Sequence, residues 1–247
     1  MEIIGSGFLA RHLAPLGGVF PEVTALAAGV PRQGLPDAAQ ARERALVEDV
    51  VARCRAEGRT LVFFSTASMY GSPGCRGRED EPVVPSTRYG EHKLGLETLI
   101  RGSGADHLIL RLGYVLGTGG PPFRLVPALI SQLRAGRVRV QKGACRDLVD
   151  AADLVEVIRR LLRAGARRHV VNVASGHCLP IEAILDHLER RLGVRAVRDY
   201  APGGIAHCVS VAKLRRLLPD LDDLGFGPGY HGRAIDRYLE LTGQLSR

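Results

Sequence analysis

The 247-residue chain is predicted to be an α/β protein, a doubly wound parallel sheet with a small C-terminal lobe. Three observations predict this. Short apolar runs alternate with helical patterns over the first 112 residues, and strands separated by helices build parallel sheets through crossovers. A glycine-rich turn, Gly5-Ser6-Gly7-Phe8-Leu9-Ala10, joins the first apolar run to the first helical pattern. Beyond about residue 116 the alternation breaks into shorter pieces, with Pro121-Pro122 opening a loop.

The elements follow in order. Residues 2–5 form a short strand, and Phe8, Leu9, Leu13 and Leu16 give a helix that Gly17-Gly18 ends. Residues 23–28 read as a buried strand closed by Gly29. Residues 38–56 are a long helix with Leu46, Val47, Val50 and Val51 on one face, and residues 60–65 are a strongly apolar strand. Glycine, proline and charge make 71–85 a loop. Residues 86–100 are helical, with Ser86 or Thr87 as the N-cap, and 107–112 are a strand. The remainder reads as helices over 123–135, 154–162, 180–192, 211–218 and 229–242 and strands at 138–140, 169–173 and 196–199.

Composition is that of an ordinary globular chain, 45% hydrophobic and 24% charged. No apolar run reaches the roughly 18 residues of a membrane helix, and Met1-Glu2 leads straight into Ile3-Ile4 without the basic and apolar regions of a signal peptide. Neither a membrane nor a nucleic-acid partner is expected. The net charge of +8 is carried by arginines at helical spacing, such as Arg42/Arg44 and Arg159/Arg160/Arg163, with few aromatics between them. Cys54, Cys75, Cys145, Cys178 and Cys208 are odd in number and scattered, with no C-x-x-C. They read as reduced thiols of a cytoplasmic protein, and no metal site is expected.

Two motifs carry chemistry. In the glycine turn the first glycine makes the bend, the second lets a pyrophosphate approach the backbone, and the small Ala10 lets helix and strand pack closely, as in dinucleotide sites. Tyr89 and Lys93 stand at i and i+4 on one helix face. A phenol ionises near pH 10 and is a poor acid–base group at neutral pH; an ammonium one turn away is expected to lower that value. A hydroxyl-rich strand end, Ser65 to Gly71, lies about 20 residues earlier, where Thr66 could hold a substrate carbonyl beside Tyr89.

The order of the glycine turn, Phe64-Ser65-Thr66-Ala67-Ser68-Met69-Tyr70-Gly71, Tyr89-x-x-x-Lys93 and Leu110-Arg111-Leu112-Gly113-Tyr114-Val115-Leu116-Gly117 resembles the extended short-chain dehydrogenases, the family of nucleotide-sugar epimerases, dehydratases and ketoreductases. Arg146 to Asp153 and Val171 to Gly176 agree with it. The resemblance, over residues 2 to about 176, implies a Rossmann-like fold. Residues 1–115, continued by about 146–176, would bind the cofactor; 116–145 and 177–247 would form a smaller substrate-binding lobe. It implies catalysis by Thr66, Tyr89 and Lys93. It assigns the cofactor, NADP or NAD with NADPH ahead, to Gly5, Ser6, Gly7, Phe8, Leu9, Ala27, Ala28, Gly29, Ser65, Tyr89, Lys93, Leu112, Gly113, Tyr114 and Val115. Ser68, Met69 and Arg146 would face the substrate, Arg146 meeting an anionic group or else pairing with Asp147 or Asp150. A homodimer through helices 38–56 and 86–102 is also implied.

The chain departs from the pattern in its first half. It has room for two strands before the one carrying Thr66, where the family has roughly four, and it lacks the acid expected about 20 residues past the glycine turn. The expectation is that the second and third strands are deleted and that 23–29 corresponds to the fourth. The rival reading makes 23–29 the second strand, with Arg32 meeting a 2′-phosphate. Ala67 and Ser68 stand where the family's dehydratases carry acids, so dehydration is not expected. The resulting expectation is an NAD(P)H-dependent ketoreductase or dehydrogenase acting on a keto-sugar or polyol, free or nucleotide-linked. The alternatives are an epimerase of the same family or a non-catalytic dinucleotide-binding scaffold.

Overall fold

The computed structural model describes residues 1–29, 34, 36–71 and 75–245. Strands β1 (Glu2–Ile4), β2 (Val23–Leu26), β3 (Thr60–Thr66) and β4 (His107–Leu112) alternate with helices α1 (Phe8–Leu13), α2 (Asp37–Ala56) and α3 (Arg88–Gly102). There follow β5 (Tyr114–Leu116), α4 (Leu125–Arg134), β6 (Arg137–Gln141), β7 (Cys145–Arg146), β8 (Leu148–Asp150), α5 (Ala151–Arg163) and β9 (His169–Val173). The chain continues through β10 (Leu179–Pro180), α6 (Ile181–Leu192), β11 (Val197–Ala201), β12 (Ala206–His207), α7 (Ala212–Leu217) and α8 (Tyr230–Leu241).

The main sheet has the order β1-β2-β3-β4-β9, all parallel. Residues 23–26 therefore lie between β1 and β3, in the fourth-strand place of the family pattern, and β1 is an edge strand. This agrees with a sheet shortened in its first half and not with the reading of 23–29 as a second strand; Arg32, on which that reading leaned, lies outside the described residues.

Strand alternation splits the core. Val62 and Phe64 point to one face with Leu13 and Leu16 beside α1 and Val157, Ile158 and Leu161 of α5. Leu61 and Phe63 point to the other, against Val47, Val50, Val51 and Cys54 of α2 and Leu96 and Ile100 of α3. The sheet thus grows in one direction while its connecting helices change face. The β1–β2 connection through α1 has the opposite hand to the β2–β3 and β3–β4 connections through α2 and α3, although one hand is nearly universal. Removal of two strand–helix units beyond β1 accounts for the reversal, since α1 keeps its face while the chain passes directly to the opposite neighbour.

A third core joins α4, α6 and α8 with β6 and β8, around Leu129, Leu133, Val140, Ile184, Leu188 and Leu239. Val211, Leu214, Leu221 and Phe226 return to the main sheet on the α1/α5 face. Among the described residues no helix is long and apolar enough to cross a membrane.

The cysteine expectation requires correction. Cys178 and Cys208 are joined as a disulfide, leaving Cys54, Cys75 and Cys145 free. Their 30-residue separation hid the pair: the segments meet only because the loop after β9 and the end of β12 both pack at the same corner of the lobe.

Candidate active site

At the carboxyl ends of the strands a cleft of about 400 Å³ opens, the usual ligand position in parallel sheets. Its walls include Gly7, Phe8 and Leu9 of the glycine turn, Ala27-Ala28-Gly29 after β2, Ser65, Thr66 and Ser68 at the end of β3, Tyr89 and Lys93 of α3, and Leu112 to Val115. Phe123 to Pro127 and Leu148 close the side nearest the lobe. Gly5 and Ser6 form the bend one step behind this wall. Gly5 must be glycine, because its φ is +126° and a Cβ would come within 2.7 Å of the Ala27 carbonyl carbon.

Thr66 caps a short 3-10 turn, its Oγ accepting from the Ser68 amide at 3.1 Å and lying 2.8 Å from the Ser68 hydroxyl. α3 begins one residue before Tyr89 and is capped by Thr87, which accepts from the Gly90 amide at 3.1 Å. Gly90 lets α3 press on that 3-10 turn: a Cβ there would stand 3.5 Å from the Met69 Cα and 2.9 Å from Pro85. Tyr89 is thereby brought to the same cleft wall as Thr66. Lys93 Nζ lies 5.9 Å from the centre of the Tyr89 ring.

The electrostatics differ from expectation. The Tyr89 phenol is pushed up to about 12, not lowered: burial is the main cause and the Glu43 carboxylate the next, with Arg124 and the Thr66 hydroxyl acting the other way. Lys93 does not act as a free cation beside the phenol, because its Nζ donates to Glu43 Oε1 at 2.6 Å. Arg124 does face the cleft. Its guanidinium lies 4.1 Å over the Phe8 ring and donates to the Val115 carbonyl at 2.9 Å, and burial lowers its pKa.

Three further assignments change. Met69 is 1% exposed and belongs to the core, because the 3-10 turn rotates its side chain beneath the site. Ser65 borders the cleft, yet its hydroxyl donates to Glu97 at 2.5 Å and is not offered to a ligand. Arg146 pairs with neither Asp147 nor Asp150. It donates to the carbonyls of Cys145 and Ile205 and lies 5.1 Å from the centre of the Tyr114 ring, behind the cleft wall. Asp147 instead accepts from the amides of Ser175 and Gly176, and burial pushes it up to about 6.

Glu43, Glu97 and Arg124 were not foreseen. Glu43, Val47, Val50, Val51 and Cys54 form the buried stripe of α2, so an acid at a core-facing position was the available signal. Glu97 continues the Tyr89–Lys93 spacing by one turn and pairs with Arg111 at 2.7 Å in the interior. Arg124 falls at the start of the expected helix 123–135 and is the N-cap of α4, a position whose direction toward the cleft leaves no mark on periodicity.

A nicotinamide dinucleotide fits these residues by half. Gly29 and Gly113 are cradle positions: a Cβ at the first would meet Glu43 at 2.3 Å, and at the second the Asp147 carbonyl at 2.8 Å. At both places the cleft wall that also carries Tyr89 and Lys93 is bare backbone. On the far side β1 is the last strand among the described residues, which therefore give the crevice that normally receives an adenosine one wall.

The model of the NAD dependent epimerase/dehydratase family matches residues 20–174. A dTDP-6-deoxy-L-talose 4-dehydrogenase (NAD(P)(+)) of Kitasatospora kifunensis is 32% identical over 165 residues, covering 60% of this chain and 51% of that protein. A UDP-glucose 4-epimerase of Azospirillum brasilense is 45% identical over 168 residues, covering 57% and 48%. The chain spans about half the length of these curated relatives. Among solved structures, a Thermus thermophilus UDP-glucose 4-epimerase complex with NAD superposes with a TM-score of 0.76 at 18% identity, over 97% of this chain and 99% of that one. RMD from Pseudomonas aeruginosa complexed with NADPH gives 0.79 at 20% identity, over 100% and 99%. These structural likenesses concern the fold; with the family model covering more than half of the sequence and the Tyr-x-x-x-Lys helix set against Thr66 in the cleft, the chain belongs to the NAD-dependent epimerase/dehydratase family.

Proposed function

We propose that the chain is an NAD(P)H-dependent ketoreductase of a keto-sugar, free or nucleotide-linked. The carrying observation is Tyr89: a half-buried phenol that lines the cleft wall together with Thr66, on the helix face that also carries Lys93. A neutral phenol is a proton donor, which is what carbonyl reduction requires of the protein. The cofactor would supply hydride to the carbonyl carbon. Thr66 and Tyr89 would bind the carbonyl oxygen, and Tyr89 would pass its proton to the developing alkoxide and recover one from water. Leu112 to Val115 would lie along the nicotinamide, and the Phe123–Pro127 segment with Leu148 would border the sugar.

The test mixes the protein with NADPH or NADH and a panel of 4-keto sugars and nucleotide 4-keto sugars, following absorbance at 340 nm. Substrate-dependent oxidation is expected, reduced at least about 100-fold in Tyr89→Phe while cofactor binding by fluorescence changes less than threefold. Binding of neither cofactor would sink the reading. The similarity to UDP-glucose 4-epimerases favours one second reading; interconversion of a nucleotide hexose without net 340 nm change would establish it instead.

A further inference from the structure

Of the described residues that line the cleft, two are charged, Lys93 and Arg124, and none is acidic. Lys93 is answered from within the fold, its Nζ donating to Glu43 Oε1 at 2.6 Å. Arg124 is half-buried and, among the described residues, makes no ion pair. Arg59, Arg160 and Arg198 are partly buried too, yet each meets a carboxylate. A desolvated cation without a partner costs stability. The cleft wall therefore holds a positive charge that the fold itself does not use.

The guanidinium is fixed in place. It lies 4.1 Å over the Phe8 ring, and its Nη2 donates to the Val115 carbonyl at 2.9 Å. Gly120 packs on both side chains: a Cβ there would come 2.9 Å from Arg124 Cδ and 3.2 Å from Phe8 Cδ2. The loop carrying Gly120 is tied to α1, with His12 Nε2 at 3.0 Å from the Thr118 carbonyl oxygen and Arg11 donating to the Gly119 carbonyl. With one face on a ring and one corner spent, the guanidinium offers its remaining N–H groups in its own plane, a geometry that matches a flat oxyanion edge-on. Arg124 is the N-cap of α4 and stands on the lobe side of the cleft with Leu125, Val126, Pro127 and Leu148. It shares the cleft with Tyr89, near enough for the two charges to act on each other. Its anion therefore belongs to the molecule whose carbonyl Tyr89 meets. One cation matches the single charge of a carboxylate better than the charge of about −1.5 to −2 on a phosphate monoester.

We propose that Arg124 is a specificity-determining residue that binds a carboxylate on the sugar, so that the substrate is an acidic keto-sugar of the uronic-acid kind and not a neutral one. The keto group rests on the reductase reading; the carboxylate does not.

Two matched pairs of probes are titrated calorimetrically into the protein, with and without NADP⁺: glucose against glucuronate, and UDP-glucose against UDP-glucuronate. The wild type is expected to bind the acid at least about tenfold tighter in one pair or both, as one charge-assisted contact allows. Arg124→Met is expected to abolish the preference and Arg124→Lys to keep part of it, both binding NADPH within about threefold of the wild type. No preference for the acid in either pair overturns the proposal, and the wild-type arm can do so even if Arg124→Met does not fold. A preference that survives in Arg124→Met overturns it too, as does tighter binding of glucose 6-phosphate than of glucuronate. A loss in the variants that falls on NADPH would place the cation at the cofactor's pyrophosphate and overturn it as well. Acid-selective binding without reduction of any keto-sugar would sink the reductase reading alone; reduction of neutral keto-sugars with no acid preference would sink this proposal alone.

Discussion

One methyl group distinguishes the roles of the two glycines in the first turn. Gly5→Ala is expected to lose more than about 1 kcal/mol of stability in urea unfolding, because its φ of +126° and its contact with Ala27 leave no room for Cβ. Gly7 has φ −75° and open space where a Cβ would stand; Gly7→Ala is expected to fold normally and to weaken cofactor binding in a fluorescence titration, since Gly7 faces the cleft. At this scale residue type and spacing were enough to bring Thr66, Tyr89 and Lys93 together, and all three line the cleft. The site was not legible where function depends on which way a buried side chain turns. Met69 sits inside a good motif yet rotates into the core, and Lys93 has the right spacing yet meets Glu43 across 50 residues.

Burial also makes histidines report on pH. His207, bonded to Tyr114 through Nδ1 at 2.8 Å, is pushed down to about 4 mainly by desolvation, with Arg146 assisting. His231 is likewise pushed to about 4, by desolvation first and then by His177. In the unfolded chain both titrate near 6.5. The unfolded state therefore takes up protons first as pH falls, and stability is lost between about 6.5 and 4. Asp147, raised to about 6, works the other way over most of that window, from about 6 down to about 4. A net fall in melting temperature from pH 6.5 to 4 is expected, and His207→Asn, which keeps an acceptor near Nδ1, is expected to flatten it.

Elements were legible where they are long. The helices α2, α3, α5 and α6 and the strands β3, β4 and β9 fall within a few residues of their expected places, because each carries a full apolar stripe or a buried run. The two- and three-residue strands β5, β7, β8, β10 and β12 were missed, since two residues show no period. Yet these short pairings connect sheet and lobe: β5 pairs with β8, and β7 with β10 and β12. The Cys178–Cys208 bond holds the same region. Thiol titration of the denatured, unreduced protein is expected to count three thiols, and five after reduction. Cys178→Ser is expected to cost up to about 3.6 kcal/mol for a loop of this length, read as a lower urea midpoint.

For the whole molecule, the strand order decides how much of a dinucleotide can be held. A nicotinamide and its ribose would lie in the cleft lined by Tyr89, Lys93 and Leu112 to Val115, whereas the adenosine end would face the side of β1 on which, among the described residues, no strand follows. Reduced nicotinamide mononucleotide is accordingly expected to bind within about tenfold of the dinucleotide, a difference of about 1.4 kcal/mol, and 5′-AMP is expected not to compete at millimolar concentration. Tight 5′-AMP binding, measured calorimetrically, would contradict this. The shortening itself was readable as a missing pair of apolar runs and a missing acid. The change of face between α1 and α2 was not, because hand is a property of three-dimensional connection and leaves no mark on periodicity.

That change of face bears on how the chain reaches its native state. Under the right-handed rule for the contiguous units β2–α2–β3–α3–β4, the β1–β2 connection is left-handed and cannot form as an ordinary local βαβ nucleus. Order is expected to begin in the middle units, whose contacts are between sequence neighbours. The first 16 residues would then dock late, onto a sheet that already exists. Substitutions there, such as Leu13→Ala, should speed unfolding and leave the folding rate nearly unchanged, while Val62→Ala and Ile109→Ala should slow folding.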